Sequence, residues 1–306
     1  MRRLPGVPLD GSWERPGRNP LAGAIAGLVI CGGVYSAFGG VVGGLVAALG
    51  VVRDPSWLAS GRLVDFLVEY YRRFQVLILV VTTVGQFAVF FALAVALVRS
   101  WHSSRPFRYL SYRPPSAVEL VLAGVGAVAV VPLAEVLDRW SYLVLPPLRE
   151  LAAGEAALLA VHSPWQAVLV FGAIAVTPAV CEEALFRGWL LGTLRRRLAL
   201  VPAIAVQAVL FALFHMSPLS IVALAFVGLY LGWLFERTGS IAASMTAHCL
   251  YNAAIIVVSN LQPRWLADES GGFSLPVILG SLSVAAVVLA LLELAARRRA
   301  PCAGVP

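Results

Sequence analysis

Residues 165–191 read WQAVLVFGAIAVTPAVCEEALFRGWLL. The stretch is long and apolar enough to cross a bilayer as a helix, since a crossing takes about 20 residues. Yet toward its end it holds Glu182, Glu183 and Arg187. A charge at mid-membrane is disfavoured by roughly 2.5–3.5 kcal/mol on insertion scales, so the three together oppose insertion by about 8–10 kcal/mol before pairing. The strongly apolar flanks, Val168–Val180 and Trp189–Leu191, make the segment insertable all the same. Ionisable groups kept inside a membrane helix need partners and a wet cavity, and they mark function.

The rest of the chain agrees with a membrane setting. Its 306 residues are 60% hydrophobic and 13% charged, with a mean hydropathy of +0.86. Soluble domains carry about 25% charged residues, so much of this surface faces lipid. Apolar runs recur at 21–50, 75–98, 118–137, 165–191, 200–215, 218–235, 241–259 and 274–295. The fifth and sixth are short and the first is glycine-rich. In lipid each segment must satisfy its own backbone hydrogen bonds, which predicts helices. The alternation of a membrane β-barrel is absent. The expected fold is all-α, a polytopic transmembrane bundle of about eight spans with short interfacial helices at 53–74 and 139–164. Trp57, Tyr70, Tyr71, Trp140 and Tyr142 suit the membrane interface. The organisation reads as a cytoplasmic tail at 1–20, N-terminal spans and interfacial segments at 21–164, a catalytic core at 165–260, and a last span with a basic tail at 261–306.

The net charge is +7, and every basic residue is arginine, because the chain has no lysine. Arginines cluster at 2–18, 99–113, 195–197 and 297–299. With eight crossings these fall on one side, and the positive-inside rule then makes both termini cytoplasmic. No basic stripe interleaved with aromatics points to nucleic acid. The basic N-terminus is too long and polar for a signal-peptide n-region, and the run from Leu21 to Val52 far exceeds an h-region, so it reads as a retained span. Cys31, Cys181, Cys249 and Cys302 have no paired spacing, which leaves neither a disulfide framework nor a CxxC metal site. The arginine bias and short loops suggest a bacterial cytoplasmic membrane.

Two further spans carry polar groups at a comparable depth. Glu182 lies roughly 20 Å along its helix from Arg195, and His215 lies about 27 Å beyond Arg197. His248 and Asn252 sit i,i+4 on the seventh span, where an imidazole and an amide can serve one developing oxyanion. Glu183 and Arg187 are also i,i+4 and can pair along one face. Glu182 points about 100° away from Glu183 around the helix, so the two carboxylates need not share a role. Each item has a plainer reading: an ion pair for Glu183–Arg187, interhelical hydrogen bonding for His248–Asn252, packing for Phe211, an interfacial position for Glu135 and Asp138. Their joint occurrence at one depth favours a site.

At these residues the chain resembles the CPBP family of intramembrane proteases, also called CAAX-protease-like or Abi proteins, which includes the Ras-converting prenyl-protein proteases. The resemblance lies in Glu182-Glu183-Ala-Leu-Phe-Arg187, then Phe211-Ala-Leu-Phe-His215, then His248-Cys-Leu-Tyr-Asn252, in order on separate spans. It covers residues 165–260. It implies an intramembrane endopeptidase that cuts near the C-terminal or membrane-embedded end of a membrane-associated protein or peptide. Glu182 would activate water with help from His215, His248 and Asn252 would hold the oxyanion, and Glu183 and Arg187 would orient the site. Two readings of the water stay open: activation by glutamate with no cofactor, or zinc held by Glu182, His215 and His248. A non-catalytic immunity or scaffold protein of the same fold is the alternative function. A transporter is disfavoured because no interrupted spans recur in corresponding halves.

Overall fold

A computed structural model describes residues 7–55, 63–111, 114–145, 156–263, 266–267 and 272–299. Trp57, Arg113, Cys302, Arg2, Arg3 and the middle of the 139–164 segment lie outside the described residues. The protein is a helical bundle. Helix α1 spans Pro20–Arg53; Asn19 caps it by accepting from the Leu21 amide at 3.0 Å, with Pro20 in the first turn. Helix α2 begins as Leu63–Gly85 and runs on to His102 through π-helical stretches at Gln86–Leu93 and Val98–His102. Helix α3 spans Ala117–Val144 and opens with a reciprocal cap between Ser116 and Glu119. Helix α4 spans Pro164–Leu194, and α5 to α8 span Leu200–Phe214, Ile221–Thr238, Ile241–Leu261 and Leu275–Arg299.

Seven of these helices are long and apolar enough to cross a membrane, and α5 is a shorter apolar helix. The fifth span ends one residue short of the expected 200–215. Phe214 closes the helix and Met216 adopts a positive φ of 50°, so the chain turns with His215 at the bend. The 53–74 segment also differs from expectation. Its described part is no separate surface helix but the first turns of α2, joined to the span at Phe74, whose φ of −109° and ψ of 16° break the helical run. Helix α3 likewise continues to Val144, past the expected end of its span.

One part of the core lies between α1, α2, α4 and α5, where Leu28, Phe90, Trp189 and Phe211 pack together, and another lies among the later helices. α3 packs against α6, α7 and α8, and α5 packs along α6. Gly228 lets α5 and α6 approach closely, since a Cβ there would stand 2.9 Å from the Ala208 Cα. Residues such as Ile25, Val29 and Val41 of α1 and Leu279 and Val287 of α8 stay exposed, as lipid-facing positions do. The N-terminal tail is docked onto the basic face. The Gly11 amide donates to the His102 carbonyl at 3.1 Å, Trp13 lies on Trp101, and Glu14 is gripped by Arg196 and by His102 Nδ1 at 2.7 Å. Burial pushes the Glu14 carboxyl up, but hydrogen bonds from His102 and Arg196 outweigh it and hold the group below the usual carboxylate range.

Candidate active site

α4 presents its acidic residues from an interrupted helix. Thr177–Glu183 is α-helical, and π-helical turns flank it at Phe171–Val176 and Ala184–Leu191. Such turns widen the helix and are frequent at functional sites. They also leave carbonyls in need of partners. Asn252 of α7 answers one of them, donating from its amide to the Ile174 carbonyl at 2.8 Å.

Glu183 is fully buried and saturated. Arg187 Nη1 donates to its Oε1 at 2.6 Å, His248 Nδ1 donates to the same oxygen at 2.9 Å, and the Ser244 hydroxyl donates to Oε2. Arg187 has no exposed surface. Its Nη2 reaches the Gly228 carbonyl at 3.4 Å, its Nε has no hydrogen-bond partner among the described residues, and its guanidinium lies over the Phe211 ring at 4.3 Å. A buried charge is tolerated only when paired and hydrogen-bonded in this way. The Glu183 contact fixes His248 with its proton on Nδ1, which leaves Nε2 as the ring nitrogen available to a ligand.

Glu182, one residue earlier, meets a different environment. Its Oε1 accepts from the Gln86 side-chain amide of α2 at 3.4 Å. Its buried Oε2 has no hydrogen-bond partner among the described residues, and His215 Nε2 stands 3.7 Å from it. That separation is too long for a direct hydrogen bond and suits a bridging water. His215 Nδ1 contacts the Phe211 carbonyl at 2.8 Å. A carbonyl can only accept, so the proton sits on Nδ1 and the Nε2 lone pair faces Glu182. Phe211 links the two halves: its ring is 4.7 Å from the His215 ring and 5.9 Å from the His248 ring.

The structure therefore brings Glu182, Glu183, Arg187, His215 and His248 together from α4, α5 and α7. Asn252 lies one turn from His248, half-buried, with one amide hydrogen engaged by Ile174 and one remaining. Glu135 and Asp138 lie elsewhere. They line a separate cavity of about 500 Å³ with Tyr251, and Glu135 pairs with Arg139 at 2.8 Å. Cys181 is buried and Cys249 half-buried, both as free thiols. Among the described residues no three His, Cys, Asp or Glu side chains are gathered as a metal set requires. Glu183 occupies Nδ1 of His248 and leaves its Nε2 open.

Ser244 and Gln86 were not foreseen. Ser244 had a signal, since Ser244, His248 and Asn252 stand at i, i+4 and i+8 on one face of α7. Gln86 had none that separates it from Gln75 in the same span.

With this geometry in view, residues 164–254 match the family model of the type II CAAX prenyl endopeptidase Rce1-like proteins. Those residues are Rce1-like. No curated protein and no solved structure matches the chain. The Rce1-like family is a protease family, and with its apolar helices the chain is an integral membrane protein. The Rce1-like segment holds all six residues of the three motifs, together with Ser244. Gln86 lies outside it, on α2.

Proposed function

We propose that this protein is an intramembrane endopeptidase that hydrolyses a peptide bond near the C-terminal or membrane-embedded end of a membrane-associated substrate. The observation that carries the reading is the pair formed by Glu182 and His215, facing each other across 3.7 Å inside an Rce1-like segment. Glu182 acts as the base. A water between the two side chains gives a proton to Glu182 while its oxygen attacks the scissile carbonyl carbon, and the carbonyl π electrons move to the oxygen. His248 and the remaining amide hydrogen of Asn252 hold that oxyanion. The oxyanion collapses, the C–N bond breaks, and Glu182 returns its proton to the leaving nitrogen. Glu183 and Arg187 position His248 and touch no reacting atom. No step in this reading passes through a metal.

Both termini stand on the cytoplasmic face in this reading, with the short α5 counted as a crossing. The arginine usage supports a bacterial cytoplasmic membrane. For the substrate, the likeness to prenyl endopeptidases suggests a C-terminal peptide bearing a prenylated cysteine, and bacterial peptide precursors with membrane-seated ends share that geometry. The test uses purified protein in nanodiscs and a quenched fluorescent peptide ending in a farnesylated cysteine and three apolar residues, beside an unlipidated apolar peptide. Wild-type protein cleaves at least one, while Glu182→Gln and His215→Ala do not. Equal cleavage by Glu182→Gln would sink the mechanism.

A further inference from the structure

Gln86 belongs to none of the three motifs and lies on α2, outside the Rce1-like segment. It is nonetheless the residue of α2 that reaches the reacting carboxylate. It is 6% exposed, and it opens the π-helical stretch Gln86–Leu93. Its Nε2 donates to Glu182 Oε1 at 3.4 Å, while its Oε1 is buried with no hydrogen-bond partner among the described residues. Tyr35 of α1, stacked on Phe90 at 4.4 Å, also engages the Gln86 side chain. The amide is therefore held in place from two sides with its oxygen unanswered.

A buried amide oxygen left without a donor is unfavourable. Here two such acceptors belong to groups in contact with each other, Gln86 Oε1 and Glu182 Oε2. A carboxylate and an amide oxygen cannot satisfy one another, since both only accept. Glu182 Oε2 instead faces His215 Nε2 across 3.7 Å, and the Gln86 contact on Oε1 fixes which carboxylate oxygen meets the bridging water.

We infer that Gln86 is a positioning residue of the proposed hydrolysis: by donating to Glu182 Oε1 it turns Oε2 toward His215 and the attacking water. One hydrogen of the water passes to Glu182. The other, hydrogen-bonded to His215 Nε2 before attack, stays on the oxygen as the new C–O bond forms and ends on the product carboxyl group. With both hydrogens engaged, the oxygen lone pair is directed at the scissile carbon. Two helices outside the matched segment thereby complete its site. The inference rests on the functional reading above.

The test uses the full chain in nanodiscs with the farnesylated peptide, comparing wild type, Gln86→Met, Gln86→Leu and Glu182→Gln. Gln86→Met keeps the side-chain volume and removes both polar atoms. It is expected to lower kcat by about 10²-fold, with KM and the melting temperature unchanged. A second readout needs no substrate. The acid-induced infrared carboxyl band of Glu182, recognised by its loss in Glu182→Gln, moves to higher wavenumber in Gln86→Met because a hydrogen bond to that carboxyl is gone. A kcat near the wild-type value, a loss confined to KM, or an unmoved band overturns the inference. If Glu182→Gln cleaves as well as wild type, the functional reading fails instead. If wild type cleaves nothing, the infrared band still decides whether Gln86 holds Glu182.

Discussion

Glu182 and Glu183 are adjacent, identical in chemistry and both buried, yet they face two differently built regions. The Glu183 side is closed. Arg187, His248 and Ser244 use its acceptors, and Phe211 covers the arginine. The Glu182 side holds a long amide contact, an oxygen with no hydrogen-bond partner, and a histidine at 3.7 Å. His215 there is the more exposed histidine, with 28% of its side chain accessible against 4% for His248. A saturated network in low dielectric is rigid and specifies geometry, while an incompletely satisfied one leaves room for a reacting molecule. The difference assigns structure to one face of α4 and chemistry to the other.

Substitutions that separate stability from rate test that contrast. The largest effect is expected at Glu183. Glu183→Leu strands Arg187 as a buried unpaired charge, which destabilises by about 3–5 kcal/mol. Melting in nanodiscs should fall sharply, and pairing the change with Arg187→Met should restore part of the loss. On the other face, His215→Ala should leave melting near wild type and lower kcat by about 10²-fold, the range for a group that positions the attacking water. If His215→Ala instead unfolds the protein while Glu183→Leu melts normally, the assignment of the two faces is reversed. A smaller effect belongs to Ser244→Ala, which removes one hydrogen bond to a charged group and should reduce stability by about 1.5–3 kcal/mol. Its activity should follow the folded fraction.

The smallest effect lies outside the bilayer core, at the docked tail. Glu14→Gln should reduce stability by about 1.5 kcal/mol near neutral pH, because hydrogen bonds to a charged group are lost. Folding lowers the Glu14 pKa, so the carboxylate form favours the docked state. Its contribution is complete above the ordinary carboxylate range and disappears as pH falls through the lowered folded value. The melting difference between wild type and Glu14→Gln should therefore shrink on acidification. A difference that grows in acid contradicts the strap.

Much of this was legible in the sequence because lipid restricts what a chain can do. Apolar runs near 20 residues must be helices, and charges within them must be explained, so the helical bundle and the six motif residues could be read directly. The angular offset between Glu182 and Glu183 also follows from helix periodicity. What escaped was uncharged or irregular. Gln86 and Ser244 are mild enough for a membrane helix that neither demands a partner at first reading. The π-helical turns around Thr177–Glu183 leave no mark on hydrophobic spacing, since apolar residues occupy every face there. Phe211 was foreseen as packing, and it does pack, but against His215, His248 and Arg187.

The most direct test is the cleavage rate of Glu182→Gln per folded molecule in nanodiscs, with melting measured on the same sample. The two faces of α4 predict a wild-type melting curve and no cleavage above the peptide-only control. Cleavage at the wild-type rate by a normally folded Glu182→Gln protein would contradict the assignment of chemistry to Glu182.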